Sequence, residues 1–169
     1  MKVNILLSTY NGEQYLAEQV KSIQEQTYQE WELLIRDDGS SDGTVELIKQ
    51  LATRDSRIHF INENHIENVG VIKSFHALLK HEEADLYCFS DQDDFWLPEK
   101  ISLQVAEAKK YSQDKPLLIY TDLKVVDENL SVLHDSMICT QSDHANTELI
   151  QELTENTVTG GVAMISHAL

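Results

Sequence analysis

Six short apolar runs rich in β-branched residues, at 3–9, 31–36, 57–62, 86–90, 117–126 and 161–166, punctuate this chain, and the first four gaps between them carry helical patterns. Leu16, Val20 and Ile23 form one set; Val45, Ile48, Leu51 and Ala52 a second; Ile72, Phe75 and Leu79 a third; and Ile101, Val105 and Ala108 a fourth. Each set recurs at spacings of three or four and predicts one buried helix face. Strand and helix alternating in this way leave few folds open. Parallel neighbours need crossover connections, and these lay helices over both faces of a mostly parallel sheet. The expected class is therefore α/β. Pro98 is expected in the first turn of the fourth helix, where its missing N–H costs nothing. From 129 to 157 the pattern dissolves into polar residues with weak helical stretches, an excursion of the kind that carries function in such folds.

With 169 residues, 41% of them hydrophobic, the chain reads as a single domain, 1–169, able to bury a core. No apolar run approaches the length that spans a bilayer, and the first seven residues lead into a strand pattern rather than a basic-then-apolar leader. The expected location is cytoplasmic. Cys88 and Cys139 are too few and too far apart for a disulfide framework or a zinc site, and Cys88, inside an apolar run, reads as a buried thiol. Thirteen basic residues against twenty-nine acids give a net charge of −16, which excludes a broad nucleic-acid surface. A phosphate-bearing small ligand stays compatible with that charge if a cation is supplied locally.

In an open parallel sheet, ligands gather at the carboxyl ends of the strands. The first run ends in "STYNGEQY", the second in "RDDGSSDGT" and the fourth in "SDQDD", and the sixth is preceded by "TVTGG". Singly, Asn11-Gly12 and Asp42-Gly43 are ordinary turn pairs, and Ser41 or Asp42 would cap any helix. Jointly they converge on one rim. Asp91 and Asp93 suit one hard cation such as Mg2+ or Mn2+, with a diphosphate completing the shell. Asp94 is assigned a supporting role, because adjacent strand residues point to opposite faces. The competing reading of the cluster is a solvated acidic turn. An aspartate phosphatase of the haloacid dehalogenase type would place its paired acids after the first strand, not the fourth. A calcium loop of EF-hand type would need a glycine and a distal glutamate at spacings absent here. A non-catalytic sugar or nucleotide binding module stays open.

The set "STYNGEQYL", "ELLIRDDGSSDGT", "ENVGV", "SDQDDFWLPEKI" and "TGG" resembles the inverting family-two glycosyltransferases of GT-A fold, in motif order and over nearly the whole chain. The forms "SDQDDFWLPEK" and "NVGVIKSFHALL" are most similar to bacterial rhamnosyltransferases that build cell-wall or capsular polysaccharide from dTDP-L-rhamnose. The resemblance implies a Rossmann-like GT-A sheet and a metal-dependent transfer from a nucleotide diphosphate sugar to a saccharide or lipid-linked saccharide. The full-length enzyme would then sit at the inner face of the cell membrane through peripheral contact. It implies nucleotide-binding roles for Ser8, Thr9, Tyr10, Asn11, Glu13, Asp38, Gly39, Ser40, Asp91 and Gln92, with Ser8 and Tyr10 beside the base and Asp38 accepting the N3–H of a uracil or thymine. Asp37 would orient the loop, and Asp91 and Asp93 would be the metal ligands. Trp96, Gly160 and Gly161 match the sugar and acceptor region, with Trp96 equally suited to anchoring the core.

The chain departs from that pattern in two places. Where many relatives carry an Arg-Asn pair in the third helix, this chain has Phe75 and His76, with Lys73 nearby as a substitute or a solvated lysine. Inverting transfer also needs a general base for the acceptor hydroxyl. The family supplies an Asp after the sixth strand, whereas here the sixth run is followed only by residues 167–169. Asp122 and Asp127 could reach the rim, but the motif order gives them no such role. The base is expected beyond Leu169, and the chain is expected to be the N-terminal part of a longer enzyme that binds nucleotide and metal.

Overall fold

A computed structural model describes residues 1–112, 114–141, 145–146 and 158–168. Seven strands and four helices account for most of it: β1 (Val3–Thr9), α1 (Leu16–Gln24), β2 (Trp31–Asp37), α2 (Thr44–Arg54), β3 (Ile58–Phe60), α3 (Val71–His81), β4 (Leu86–Ser90), α4 (Lys100–Ala108), β5 (Leu118–Tyr120) and the hairpin strands β6 (Val125–Val126) and β7 (Val132–His134). A four-residue helix, α5 (Ile138–Gln141), a 3-10 turn at Gly160–Val162 and an eighth strand, β8 (Ala163–Ser166), complete the order. The main sheet runs β3-β2-β1-β4-β8-β5. β1 pairs in parallel with both β2 and β4, whereas β8 runs against β4 and β5. The α/β expectation of a mostly parallel sheet holds.

Alternation along β1 divides the core. Val3, Ile5 and Leu7 face one way, into a cluster with Leu16, Val20 and Ile23 of α1, Ile48 of α2, and Ile101 and Val105 of α4. Leu6 faces the other way, with Leu34, Tyr87 and Leu78 of α3. Three helices thus cover one face and α3 the other. Each fully buried aliphatic side chain in these layers contributes about 1.5–3 kcal/mol. Cys88 lies wholly in the first cluster, and burial pushes its thiol up to about 12, so it is an inert core residue as expected.

Several sequence-level boundaries shift. The run at 117–126 is not one strand. It breaks after Tyr120 because the Asp122 carboxylate accepts the N–H groups of Leu123, Met137 and Ile138 and the Ser136 hydroxyl, which folds the chain back into the β6–β7 hairpin. The sixth run begins as a 3-10 turn, and its strand starts only at Ala163. Ile72, expected on the buried face of the third helix, is 82% exposed, and Ser74 occupies the buried position instead. Pro98 lies in a turn two residues ahead of Lys100, the first residue of α4. Among the described residues no helix is long and apolar enough to cross a membrane.

Candidate active site

The parallel order β2-β1-β4 brings the carboxyl ends of three strands side by side, and the loops leaving them are tied to one another by side chains. Asn11 adopts a left-handed φ of 48°, which an Asn tolerates at small cost. Its N–H donates to Ser40 Oγ (2.8 Å) while its Oδ1 accepts from the Ser41 N–H (2.9 Å). Gly12 N–H donates to Thr44 Oγ1, and Glu13 accepts from the Gly43 N–H (2.9 Å). Asp37, fully buried, accepts from Thr9 Oγ1, Ser40 Oγ and the N–H groups of Gly39 and Ser40. These bonds lock the first loop to the second. Asn11, Glu13, Gly39 and Ser40 thus help to tie the two loops together at the rim.

Asp38 is the next residue and does something different. Its Oδ1 accepts from Arg36 Nη1 (2.8 Å), Ser74 Oγ (3.1 Å) and the Val69 N–H (2.7 Å), whereas Oδ2, among the described residues, accepts from the Gly70 N–H alone (3.0 Å). Burial acts to raise its pKa, but the bonds from Val69, Arg36, Gly70 and Ser74 outweigh it and hold the carboxyl below its ordinary range. Asp38 is thus an anion at neutral pH whose Oδ2 keeps acceptor capacity. Gly70, at φ 84°, supplies the backbone turn that aims its N–H and that of Val69 at Asp38.

The acidic segment leaves β4 at Ser90. Asp91 and Asp93 stand exposed at the rim, and among the described residues neither carboxylate accepts a hydrogen bond from a neighbour. Gln92 turns back instead: its amide accepts from the Tyr10 N–H (3.0 Å) and donates to the Tyr10 carbonyl (3.2 Å). Asp91 has its pKa raised, first by desolvation and then by the Asp93 charge. Asp94, more enclosed, is pushed up to about 6 by desolvation and by the charges of Asp91 and Asp93, with Lys100 opposing. Gly161 packs directly against Asp94, with Asp91 close by, and Gly160 meets nothing. Trp96 is buried in the core, its ring under Lys100 Nζ at 4.5 Å, so it anchors the segment rather than lining the cleft.

These groups enclose a cleft of about 370 Å3. Ser8, Thr9, Tyr10, Asp38, Asp91, Gln92 and Asp93 line it, joined by Asn68, Gly70 and Val71. The last three stand in the "ENVGV" stretch, whose members carry no role that the sequence alone assigns. A second cavity of about 420 Å3, lined by Arg36, His65 and Lys73 among others, lies on the far side of the Arg36–Asp38 pair and holds no aspartate. Lys73 lines this second cavity and is not among the residues lining the rim cleft.

The donor set at the rim suits a hard divalent cation. Two unpartnered carboxylates that repel each other are the ligands such an ion takes alongside substrate phosphates. Among the described residues no three His, Cys, Asp or Glu side chains converge to hold a metal unaided, so an ion bound there would take its remaining ligands from phosphate oxygens and water. Asp122 and Asp127 are not among the residues lining the cleft, and their carboxylates are committed to the Asp122 turn and to the N–H groups of Asn129 and Ser131.

The sequence and the fold are similar to those of known proteins. The chain is 30% identical over 127 residues to the Escherichia coli UDP-Glc:alpha-D-GlcNAc-diphosphoundecaprenol beta-1,3-glucosyltransferase WfgD, a match covering 75% of this chain and 47% of WfgD. It is 38% identical over 98 residues to the dTDP-rhamnosyl transferase RfbG of Shigella flexneri, covering 56% of this chain and 34% of RfbG. The chain thus spans less than half the length of these relatives. The solved structure of S. aureus TarS 1-349 in complex with UDP-GlcNAc superimposes with a TM-score of 0.57 at 25% identity, over 65% of this chain and 32% of that one. Residues 4–157 match the profile described as glycosyl transferase family 2. With that match covering most of its length, the chain belongs to glycosyl transferase family 2.

Proposed function

We propose that this domain binds a pyrimidine nucleotide diphosphate sugar in the rim cleft and serves a glycosyltransferase that moves the sugar, with inversion, onto a saccharide or lipid-linked saccharide. The observation that supports this reading is the single cleft shared by Asp38 at the end of β2 and by Asp91 and Asp93 beyond β4, with β1 between them. Asp38 Oδ2 would accept the N3–H of the base, and the exposed Tyr10 ring offers a stacking face. Asp91 and Asp93 would hold Mg2+ or Mn2+, which when bound offsets charge on the departing diphosphate. The Gln92–Tyr10 pairing keeps the base side and the diphosphate side at a fixed distance.

The donor we favour is dTDP-L-rhamnose, for which attack opposite a β-linked leaving group gives an α-linked product. WfgD takes UDP-Glc by its name, so a UDP-sugar is the second donor to test. We place the general base beyond Leu169, as the sequence leads one to expect; among the described residues, Asp122 and Asp127 offer carboxylates that are engaged in turns. A nucleotide-sugar binding piece without turnover of its own is the alternative reading. Lipid-linked acceptors would put the longer enzyme at the inner membrane face.

Calorimetry with dTDP, UDP and GDP, with and without Mn2+, tests the reading. Binding of dTDP and UDP, at least tenfold tighter with Mn2+ and weaker for GDP, is expected. Equal affinity for all three, or indifference to Mn2+, would overturn it.

A further inference from the structure

The α1 face that packs under the acidic rim is not purely apolar. Gln19 and Ser22 sit fully buried beside Leu16, Val20 and Ile23. The Gln19 amide has four neighbours, and one orientation satisfies them all. Its oxygen accepts from Ser90 Oγ (2.8 Å) and Trp96 Nε1 (3.2 Å), and its nitrogen donates to the Asp94 carbonyl (2.6 Å) and Ser22 Oγ (3.0 Å). Ser22 Oγ in turn donates to the Gln19 backbone carbonyl and accepts from the Trp96 N–H (3.0 Å). Farther along the same face, Gln26 donates to the Leu97 carbonyl and accepts from the Ile101 N–H.

Ser90 is the residue before Asp91, and Asp94 and Trp96 come after Asp93. One buried amide therefore grips both ends of the bend that carries the two rim carboxylates. Burying an amide costs free energy unless every donor and acceptor is used, and here all are used. An aliphatic residue would fill the same space without that demand, so the polar choice fixes geometry rather than adding burial. From this juxtaposition we propose that Gln19 is a positioning residue, which sets the separation of the Asp91 and Asp93 carboxylates and so the affinity of the rim for a divalent cation with its nucleotide. The proposal rests on the nucleotide-binding reading above for its functional half and on the hydrogen bonds alone for its structural half.

The test uses Gln19→Met, which keeps length and removes the amide, and Gln19→Glu, whose carboxyl is shaped like the amide only when protonated. Amide hydrogen exchange of residues 91–96 is measured in EDTA, and Mn2+-dependent and metal-free affinities for UDP by calorimetry. In Gln19→Met, exchange at 91–96 is expected to rise at least tenfold while β1 and β2 stay protected. Mn2+-dependent UDP affinity should fall at least tenfold, and metal-free affinity should stay within twofold. Gln19→Glu should approach wild-type affinity at pH 6 and fall away from it at pH 8, each compared with wild type at that pH. Unchanged exchange in Gln19→Met overturns the clamp. Raised exchange with unchanged Mn2+-dependent affinity overturns the positioning role. Wild-type protein that binds no UDP overturns the nucleotide reading and with it the functional half, while exchange still decides the clamp.

Discussion

Gly161 and Asp94 touch so closely that a Cβ at position 161 would collide with Asp94 Oδ2 and stand 3.4 Å from Asp91 Oδ2. The 3-10 turn thus stands against the acidic rim, and a side chain at 161 would fit only if Asp94 swung aside. Gly161→Ala is expected to push Asp94 toward Asp91, costing about 1–3 kcal/mol as overpacking does. Mn2+-dependent nucleotide affinity should fall with it. Gly160→Ala, with nothing within 4 Å of its Cβ, should leave both quantities near wild type. Urea unfolding and calorimetry on the pair check this; equal effects at the two glycines would show that the contact is unimportant.

Asp38 and Arg36 form a buried pair at 2.8 Å in the wall between the two cavities. Removing one partner strands the other charge, so Asp38→Ala should destabilise the protein by about 3–5 kcal/mol and abolish nucleotide binding with or without metal. The pH dependence carries a definite sign. The folded pKa lies below the ordinary 3.8, so this stabilisation is complete above that value and is lost as pH falls through the folded one. Unfolding titrations between pH 2 and pH 5 should show wild type losing stability on acidification more steeply than the variant.

The alternation of β1 and the period of α1 and α4 were legible because a strand or helix with one buried face writes that face into its spacing. Ile72 misled for the same reason: an apolar residue at the right spacing lies 82% exposed, since the α3 face near the cleft is held by Ser74 bonded to Asp38 and Arg36. Asp38, Asp91 and Asp93 were legible as acids crowded at strand ends, and all three line one cleft. Gln19 was not. A buried amide on an amphipathic helix has no pattern of its own, and its meaning depends on Ser90 and Trp96, more than seventy residues away. Trp96 offered two readings that a sequence could not separate, and only its burial among Ile101, Val105 and Cys88 decides for the core. The run at 117–126 hid its break, because what ends β5 is the Asp122 carboxylate reaching residues 136–138.

Asp94 should shape stability in the opposite direction from Asp38. Its folded pKa, about 6, exceeds the ordinary 3.8, so the folded protein holds the extra proton and loses stability as pH rises through that window. By linkage the loss is at most about 2–3 kcal/mol. In EDTA, thermal unfolding of wild type between pH 4 and pH 6.5 should show this decline superimposed on gains from other carboxylates, and Asp94→Asn should lack it. A variant whose profile parallels wild type throughout would mean that Asp94 ionises freely.

Asp91 and Asp93 stand without hydrogen-bond donors among the described residues, so their mutual repulsion is relieved only by water or by a cation. Asp91→Ala and Asp93→Ala should each weaken Mn2+-dependent dTDP binding at least tenfold, and EDTA should bring wild type to the same level. Because the rim carboxylates repel, each substitution should leave metal-free stability unchanged or slightly raised, whereas deleting a structural carboxylate such as Asp37 should lower it. Chelation should therefore erase the difference between wild type and both variants in binding while preserving it in stability. Calorimetry and thermal unfolding on the three proteins, each with Mn2+ and with EDTA, read both quantities. Affinity that survives in the variants when Mn2+ is present would remove the cation from the rim.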